Sequence, residues 1–290
     1  MSTSIKSFFD EDTSTYSYVV ADTASSKAAI IDPVMTFDPA SGTLDGSSIE
    51  PLLDYIREQA LEPTWILETH AHADHLSSAP LLKEHFPAAT TAIGRGITRV
   101  QATFKTVFNL EEDFQTDGSQ FDRLLEEGDS LPLGDMQIEV IATPGHTSDS
   151  VTYLIGDAAF VGDSIFMPDM GTARCDFPGG DATTLYQSIQ KLFDLPDETT
   201  LYMCHDYAPG GREHRNVTTV GEERKHNIHV GEAHSLEDFK EMREARDKTL
   251  GAPRLLYPSV QVNIRAGHLP PAESNGRRYL KLPLKSVAVE

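Results

Sequence analysis

Four side chains that can bind a metal fall within six consecutive positions of the sequence. Residues 70–75 read His-Ala-His-Ala-Asp-His and so combine three imidazoles with one carboxylate. This donor set suits Zn²⁺ or Fe²⁺, whereas an all-oxygen Mg²⁺ or Ca²⁺ site would not use so much histidine. The alternative is a polar surface loop that is rich in histidine by chance. We favour the metal site, because clustered histidines are costly to bury without a ligand role.

Two later segments supply further candidate ligands. His146 ends a turn in Thr-Pro-Gly-His-Thr, and Asp163 follows a hydrophobic strand that contains Phe160. Taken alone, a single histidine is usually structural, and an aspartate at a strand end is usually a turn former. Because these two residues follow the histidine cluster in this order, we interpret them as the next two ligands.

The elements around the cluster indicate a strand-to-helix turn. Residues 64–69 are typical of a short buried strand that leads into the cluster, and residues 76–86 favour a helix after it. A helix is also predicted from Ser47, with Ser47 and Glu50 as a capping box. The acidic segment 111–119 is interpreted as a solvated loop.

Strands and helices recur in two comparable halves. Further strands are predicted at 16–20, 27–33, 136–141, 150–155, 158–161 and 201–204, and further helices at 96–110, 185–193 and 235–250, the last with Ser235 as its N-cap. This alternation favours helices packed outside two stacked sheets. We expect a single domain over residues 1–290, with a C-terminal extension at about 251–290.

Composition limits the classes of partner. The chain has 24 basic and 45 acidic residues and a formal net charge of −21, so we expect no nucleic-acid partner. No apolar run suggests a membrane span, and the amino terminus lacks the apolar core of a secretory signal. We therefore expect a cytoplasmic protein whose two cysteines, Cys175 and Cys204, are thiols. Cys175 is expected to be a small buried residue rather than a nucleophile.

The ordered motifs resemble those of the metallo-β-lactamase superfamily. They are HxHxDH at 70–75, TPGHT at 143–147, VGDS at 161–164 and CHD at 204–206, and they extend over roughly residues 16–207. The resemblance implies a four-layered αββα sandwich, of mixed α/β class, with the metal at one sheet edge. Within the superfamily, the segments GTARCDF at 171–177 and HDY at 205–207 resemble the persulfide dioxygenases related to the ethylmalonic encephalopathy protein.

That narrower resemblance implies a ligand set and a substrate. His70, His146 and Asp163 would bind one Fe(II) per chain and carry catalysis, since two histidines and a carboxylate leave positions open for sulfur and O₂. The remaining cluster residues would lie around the site as supporting groups or as a vacant second-metal site: His72, Asp74, His75 and His205. The substrate-binding candidates are Arg174, Tyr207, Arg212 and Arg215. Arg174 could equally be a structural arginine paired with Asp176, and exposed surface positions are an equal alternative for Arg212 and Arg215.

The leading hypothesis is an Fe(II)-dependent persulfide dioxygenase that oxidises glutathione persulfide with O₂ and water to sulfite and glutathione. The alternative is a thioester hydrolase of the glyoxalase II type with two Zn²⁺ ions, for which every ligand type is present. A third hypothesis is a non-catalytic binding or sensing protein that kept the fold. The resemblance also implies a homodimer and, because no rhodanese segment follows, a separate sulfurtransferase partner.

Overall fold

The computed structural model describes residues 3–284 of the chain, so the two ends of the predicted 1–290 domain lie outside the described residues. Its strands are β1 Thr3–Asp10, β2 Thr15–Asp22, β3 Lys27–Ile31, β4 Val34–Asp38, β5 Thr43–Asp45, β6 Glu62–Leu67, β7 Leu76–Ser77, β8 Thr90–Gly94, β9 Arg123–Leu125, β10 Ser130–Leu133, β11 Met136–Ala142, β12 Val151–Ile155, β13 Ala158–Phe160, β14 Thr200–Tyr202 and β15 Val217–Thr219. Its α-helices are α1 Glu50–Glu58, α2 Ala79–His85, α3 Ile97–Val107, α4 Ala182–Phe193, α5 Val220–His226, α6 Leu236–Asp247 and α7 Leu256–Asn263.

The strands form two large sheets and one small one. The first sheet has the order β1-β2-β3-β6-β8-β9, and the second runs from β10 to β15 in chain order. The pairs β3–β6, β6–β8, β8–β9 and β13–β14 are parallel, and the other neighbours in these two sheets are antiparallel. The small sheet has the order β5-β4-β7 and lies next to the histidine cluster in the chain.

Apolar side chains fill three layers between the sheets and helices. The two large sheets pack face to face through a cluster that includes Tyr18 and Ile31 from the first sheet and Tyr153 and Phe160 from the second. Helices α1 and α2 cover the outer face of the first sheet, and α4 and α6 cover that of the second. The predicted four-layered αββα sandwich is confirmed, since each sheet buries one face on its partner and the other under helices.

The start of α1 differs from the prediction. Asp45, not Ser47, is the capping residue, and its carboxylate accepts a hydrogen bond of 2.9 Å from the Ser47 backbone amide. A 3₁₀ turn over Gly46–Ile49 follows, and α1 begins only at Glu50 without a side-chain cap. The predicted Ser47–Glu50 capping box is therefore wrong. The predicted N-cap at Ser235 is confirmed, because its hydroxyl accepts from the Asp238 amide within a full capping box.

Two other segments also differ from the sequence prediction. Leu76 opens strand β7, which pairs with Met35 of β4, so the helix predicted from residue 76 begins at Ala79. The acidic segment 111–119 is a largely exposed loop, as predicted, but it is also anchored: Phe114 is buried, and the guanidinium of Arg265 lies 4.4 Å from its ring centre. Arg265 also forms an ion pair of 2.5 Å with Glu111, which ties this segment to the chain after α7.

Candidate metal centre

Loops that follow several strands meet at one edge of the sandwich. The 70–75 cluster follows β6, Asp163 follows β13, and His205 follows β14, while His146 lies between β11 and β12. The parallel strands β13 and β14 bring their carboxyl ends to the same edge. The backbone amide of Val151 donates to the carbonyl of Thr69 over 2.9 Å and so joins the cluster to the second sheet.

Two glycines permit the close approach of these loops. Gly145, just before His146, has a φ of 139°, and a Cβ there would lie 2.3 Å from the Leu185 Cα. Gly162, just before Asp163, has a φ of 53°, and a Cβ there would lie 2.7 Å from the Thr69 Cβ. Because glycine alone tolerates both the φ angle and the contact, these turns can place their ligands beside the cluster.

The structure brings the three predicted iron ligands together. One donor atom each from His70, His146 and Asp163 lies within 4.8 Å of the others. The Asp163 Oδ2 atom is 3.9 Å from His70 Nε2 and 3.6 Å from His146 Nε2. These separations suit donors arranged around a common ion, so the three residues can share one metal.

The remaining cluster residues lie around the same centre. His205 Nε2 is 3.3 Å from Asp74 Oδ2 and 3.4 Å from Asp163 Oδ1, without hydrogen-bond geometry. His72, Asp74 and His75 form a second group of donor atoms within 4.8 Å of one another. The predicted supporting residues are thus next to the predicted iron ligands, and their geometry also accommodates a second ion.

Unpaired buried atoms indicate that the centre is built for a metal. These buried atoms make no hydrogen bond within the described part of the chain: His70 Nε2, His72 Nδ1, His75 Nε2, His205 Nε2 and Asp163 Oδ1. Burying a polar atom without a partner costs about 1–3 kcal/mol, so five such atoms at one point would be very unfavourable without a ligand. Imidazole nitrogen and carboxylate oxygen are the donors expected for Zn²⁺ or Fe²⁺.

Protein acceptors fix the ring nitrogens that face away from the centre. His146 Nδ1 donates to the Arg174 carbonyl over 2.7 Å, and His205 Nδ1 donates to the Ser14 carbonyl over 3.1 Å. His72 Nε2 donates to Asp32 over 2.9 Å. Each bond places the proton on the outward nitrogen and leaves the inward one with a free lone pair, which a metal requires.

The Thr69 hydroxyl plays the same part for His70. It donates to Asp32 Oδ2 over 2.9 Å, and its oxygen is therefore free to accept from His70 Nδ1 at 3.1 Å. Asp32 also accepts from the Thr69 amide over 2.7 Å. One buried carboxylate at the end of β3 thus orients both His70 and His72.

Burial and neighbouring charges set the protonation of the centre. Burial, followed by the neighbouring His72, lowers the pKa of His70 well below its usual value, and burial with His75 does the same to the pKa of His72. For Asp74, burial alone would raise the pKa, but His205 and His75 outweigh it and the pKa falls well below its usual value. His70 and His72 are therefore neutral imidazoles and Asp74 is a carboxylate at neutral pH, which is the state in which such groups bind metal.

A cavity of about 330 Å³ opens onto the centre, and Asp74, His146 and Asp163 form part of its wall. Arg174 and Tyr207, which were predicted to contact substrate, also line it. Tyr207 is 51% exposed and stacks on the His205 ring with an interplanar angle of 10°. The cavity is thus apolar and aromatic in part, with polar groups placed at intervals, as small-molecule sites usually are.

Arg174 has a structural partner as well as a cavity face. Its Nε and Nη2 atoms donate to the two carboxylate oxygens of Asp176 over 2.6 and 2.7 Å, and its Nη1 donates to the Gly251 carbonyl over 2.7 Å. The guanidinium carbon lies 4.9 Å from the ring centre of Phe177. The pairing with Asp176, weighed as an alternative from the sequence, is present in the structure.

Arg212 and Arg215 lie elsewhere. Arg212 donates to Asp206 and Asp169 through both sides of its guanidinium, and Arg215 pairs with Asp169 at 3.3 Å. Neither arginine is among the residues that line the cavity. The geometry therefore gives these two residues a structural role in the 206–216 loop and offers no support for the predicted substrate contact.

Several residues of the site were missed from the sequence. Arg246 and Phe177 line the cavity, and Arg246 is exposed, with no hydrogen bond or ion pair from its guanidinium to any residue from 3 to 284. Asp149 accepts from the Ala71 amide over 2.8 Å and holds the cluster backbone. Asp149 could have been suspected three positions after His146, and Asp32 at the end of a strand, but Arg246 carries no local signal.

The stacked sheets and the buried donors at their edge define a metal-dependent enzyme of the metallo-β-lactamase fold. The sequence model of a protein family, described as the metallo-beta-lactamase superfamily, matches residues 10–205, which is more than half of the chain. The chain belongs to the metallo-β-lactamase superfamily. Within residues 3–284, no helix is both long and apolar enough to cross a membrane.

Relatives with different names cover nearly the whole chain. A probable metallo-hydrolase of Burkholderia pseudomallei is 50% identical over 98% of this chain and 99% of its own. Glyoxylase B2 of Dictyostelium discoideum is 49% identical over 97% of this chain and 96% of its own. The human mitochondrial persulfide dioxygenase ETHE1 is 30% identical over 91% of this chain and 88% of its own.

The crystal structure of ETHE1 from Myxococcus xanthus resembles this chain with a TM-score of 0.73 and 33% identity, over 91% of this chain and 100% of that one. The relationship to the persulfide dioxygenases that the motifs predicted is confirmed.

Proposed function

We propose that the protein is an Fe(II)-dependent persulfide dioxygenase that acts on glutathione persulfide. One observation carries the proposal: His146 and Asp163, two of the three donors in the group with His70, line a cavity that Arg174 and Arg246 also line. Two histidines and one carboxylate leave coordination positions open, and the basic groups suit a substrate with carboxylates. The relationship to the human and Myxococcus proteins supports the same reaction.

In this proposal, His70, His146 and Asp163 would hold one Fe(II), which would supply the one-electron chemistry for the reaction of dioxygen with sulfur. The sulfane sulfur leaves as sulfite, the sulfur–sulfur bond breaks, and glutathione leaves as a thiol. One O₂ and one water provide the three oxygens of sulfite, with two protons released. O₂ is the oxidant and the sulfane sulfur is oxidised.

The residues of the chain orient the substrate and the ligands. Arg246 is free to attract a substrate carboxylate at the cavity mouth, and Arg174 presents a guanidinium that Asp176 already holds in place. Tyr207 offers a hydroxyl beside the centre, and the Phe177 ring provides an apolar wall. The residues that lie around the ligands would support the centre from outside the first set of donors: His72, Asp74, His75 and His205.

A second candidate is a thioester hydrolase with two Zn²⁺ ions. The unpaired Nδ1 of His72 and Nε2 atoms of His75 and His205 favour it, because these are donors for which a single ion has no need. The name of the Dictyostelium relative, glyoxylase B2, points in the same direction. A pair of ions would stabilise both the attacking hydroxide and the developing oxyanion.

Metal identification separates the two candidates. We expect protein that is purified without added metal to hold about one iron per chain, and we expect added persulfide to give sulfite. About two zincs per chain, with hydrolysis of S-lactoylglutathione and no sulfite, would overturn the proposal. In the proposed setting, the protein is a cytoplasmic homodimer and a separate sulfurtransferase exchanges sulfane sulfur with it.

A further inference from the structure

The side chain of Asn263, the last residue of α7, reaches into the backbone of the metal-binding loop. Its Nδ2 atom donates to the carbonyls of His72 and of His75, both over 2.8 Å. Its Oδ1 atom accepts from the Ser77 amide over 2.9 Å. Asn263 is 4% exposed, so these bonds form in a dry environment in which an unpaired carbonyl would be costly.

The loop depends on such contacts because residues 68–75 contain neither helix nor strand. Two carboxylates hold its first half: Asp32 accepts from the Thr69 amide, and Asp149 accepts from the Ala71 amide. Asn263 holds its second half. An amide is the side chain that offers two donors on one atom with an acceptor beside it, and this geometry matches two carbonyls and one amide group.

Helix α7 is itself firmly placed against this segment. The Gln101 side chain donates to the Ile264 carbonyl over 2.9 Å, and Val262 is fully buried beside Leu76. At Gly267, where φ is 82°, a Cβ would lie 2.5 Å from Pro80 Cδ and 2.9 Å from the Ser77 carbonyl oxygen. The chain after α7 therefore packs directly against the residues that follow the cluster.

We propose that Asn263 is a positioning residue of the metal centre, acting through the backbone of His72 and His75. It lies beyond residues 10–205, the part that matches the superfamily, so the C-terminal segment completes the support of the site. By fixing two carbonyls of the loop, Asn263 sets the direction in which His72, Asp74 and His75 project. This inference holds for either metal and does not depend on the dioxygenase activity.

The same helix provides a matched control. Gln261, 1% exposed, also makes three hydrogen bonds through its amide, to the Tyr257 carbonyl and to the backbone of Lys281. It holds the tail of the chain and does not contact the cluster. Gln261→Ala should therefore destabilise the protein to an extent similar to that of Asn263→Ala without changing the metal centre.

The experiment compares wild type, Asn263→Asp, Asn263→Ala and Gln261→Ala as full chains. Asn263→Asp keeps the shape and an acceptor for Ser77 but removes both donors. Co²⁺ is titrated into metal-free protein in competition with a chelator, its visible spectrum is recorded, and thermal unfolding is followed on the same samples. We expect both Asn263 variants to bind Co²⁺ on the order of tenfold more weakly with an altered spectrum, and Gln261→Ala to match wild type in both.

Wild-type affinity and spectrum in the Asn263 variants would overturn the proposal. An equal loss of Co²⁺ affinity in Gln261→Ala would also overturn it, because the effect would then be one of general stability. If neither Asn263 variant folds while Gln261→Ala does, the contact serves the fold rather than the metal centre, and the proposal is overturned. Absence of oxygen uptake in the wild-type protein, with Co²⁺ binding weakened in the Asn263 variants, would count against the proposed activity and not against this inference.

Discussion

Arg246 provides a test of how the cavity recognises an anionic substrate. Its guanidinium is exposed at the cavity mouth and has no partner within residues 3–284, so Arg246→Gln removes a charge without leaving a protein carboxylate unpaired. An exposed charge pair is worth up to about 1 kcal/mol, which corresponds to about a fivefold change in a binding constant. We therefore expect KM for glutathione persulfide to rise about fivefold. The value of kcat should stay unchanged, because Arg246 does not touch the reacting sulfur.

The assay is steady-state oxygen uptake at several substrate concentrations. Lys248→Gln is the matched control, since it removes an exposed charge from the end of the same helix, outside the residues that line the cavity. A persulfide without carboxylates is the control substrate, and its KM should be equal in wild type and in Arg246→Gln. An unchanged KM for glutathione persulfide would refute the reasoning, and so would an equal rise for the control substrate.

Three further predictions concern stability and reactivity. Gly145→Ala should cost about 1–3 kcal/mol in urea unfolding, because the new Cβ would meet Leu185, and a loss below 0.5 kcal/mol would contradict the assigned turn. Burial raises the pKa of Glu223 to about 8 from 4.5. The folded state therefore keeps a proton that the unfolded chain releases. The free energy of unfolding should fall between about pH 5 and pH 8, by at most about 1.4 kcal/mol per pH unit. This fall should be absent in Glu223→Gln. A steady wild-type stability over that range would contradict it. Burial also raises the pKa of Cys175 to about 12, so its alkylation by iodoacetamide at pH 7.5 should be far slower than that of an exposed thiol, and rapid labelling of the folded protein would count against this burial.

The metal centre could be predicted because its signal is local. Residues 70–75 carry their donors within one loop, and His146 and Asp163 stand in short motifs beside glycines that permit their turns. Alternating periodicity in two halves indicated helices outside two stacked sheets, and the resemblance to the superfamily implied the αββα sandwich. These features depend on neighbouring residues, and sequence patterns report such neighbours directly.

Contacts between distant parts of the chain could not be predicted in this way. Arg246 and Asn263 lie on ordinary helices, and only the packing of α6 and α7 brings them to the cavity and the cluster. The anchoring of the acidic segment 111–119 was not predicted for the same reason, because Arg265, which pairs with Glu111, lies far away in the sequence. At Leu76, helical spacing gave way to pairing with Met35, because tertiary context overrides local preference in a short segment.

The proposed reaction is the oxidation of a sulfane sulfur by dioxygen at this metal centre. Its most direct test is to measure O₂ consumed and sulfite formed when the purified, iron-loaded protein receives glutathione persulfide. We predict one O₂ consumed for each sulfite formed, and loss of both signals in His146→Ala, which removes a donor of the His70, His146 and Asp163 group. The proposed reaction would be contradicted if the iron-loaded protein consumed no oxygen with this substrate and its His146→Ala variant behaved identically.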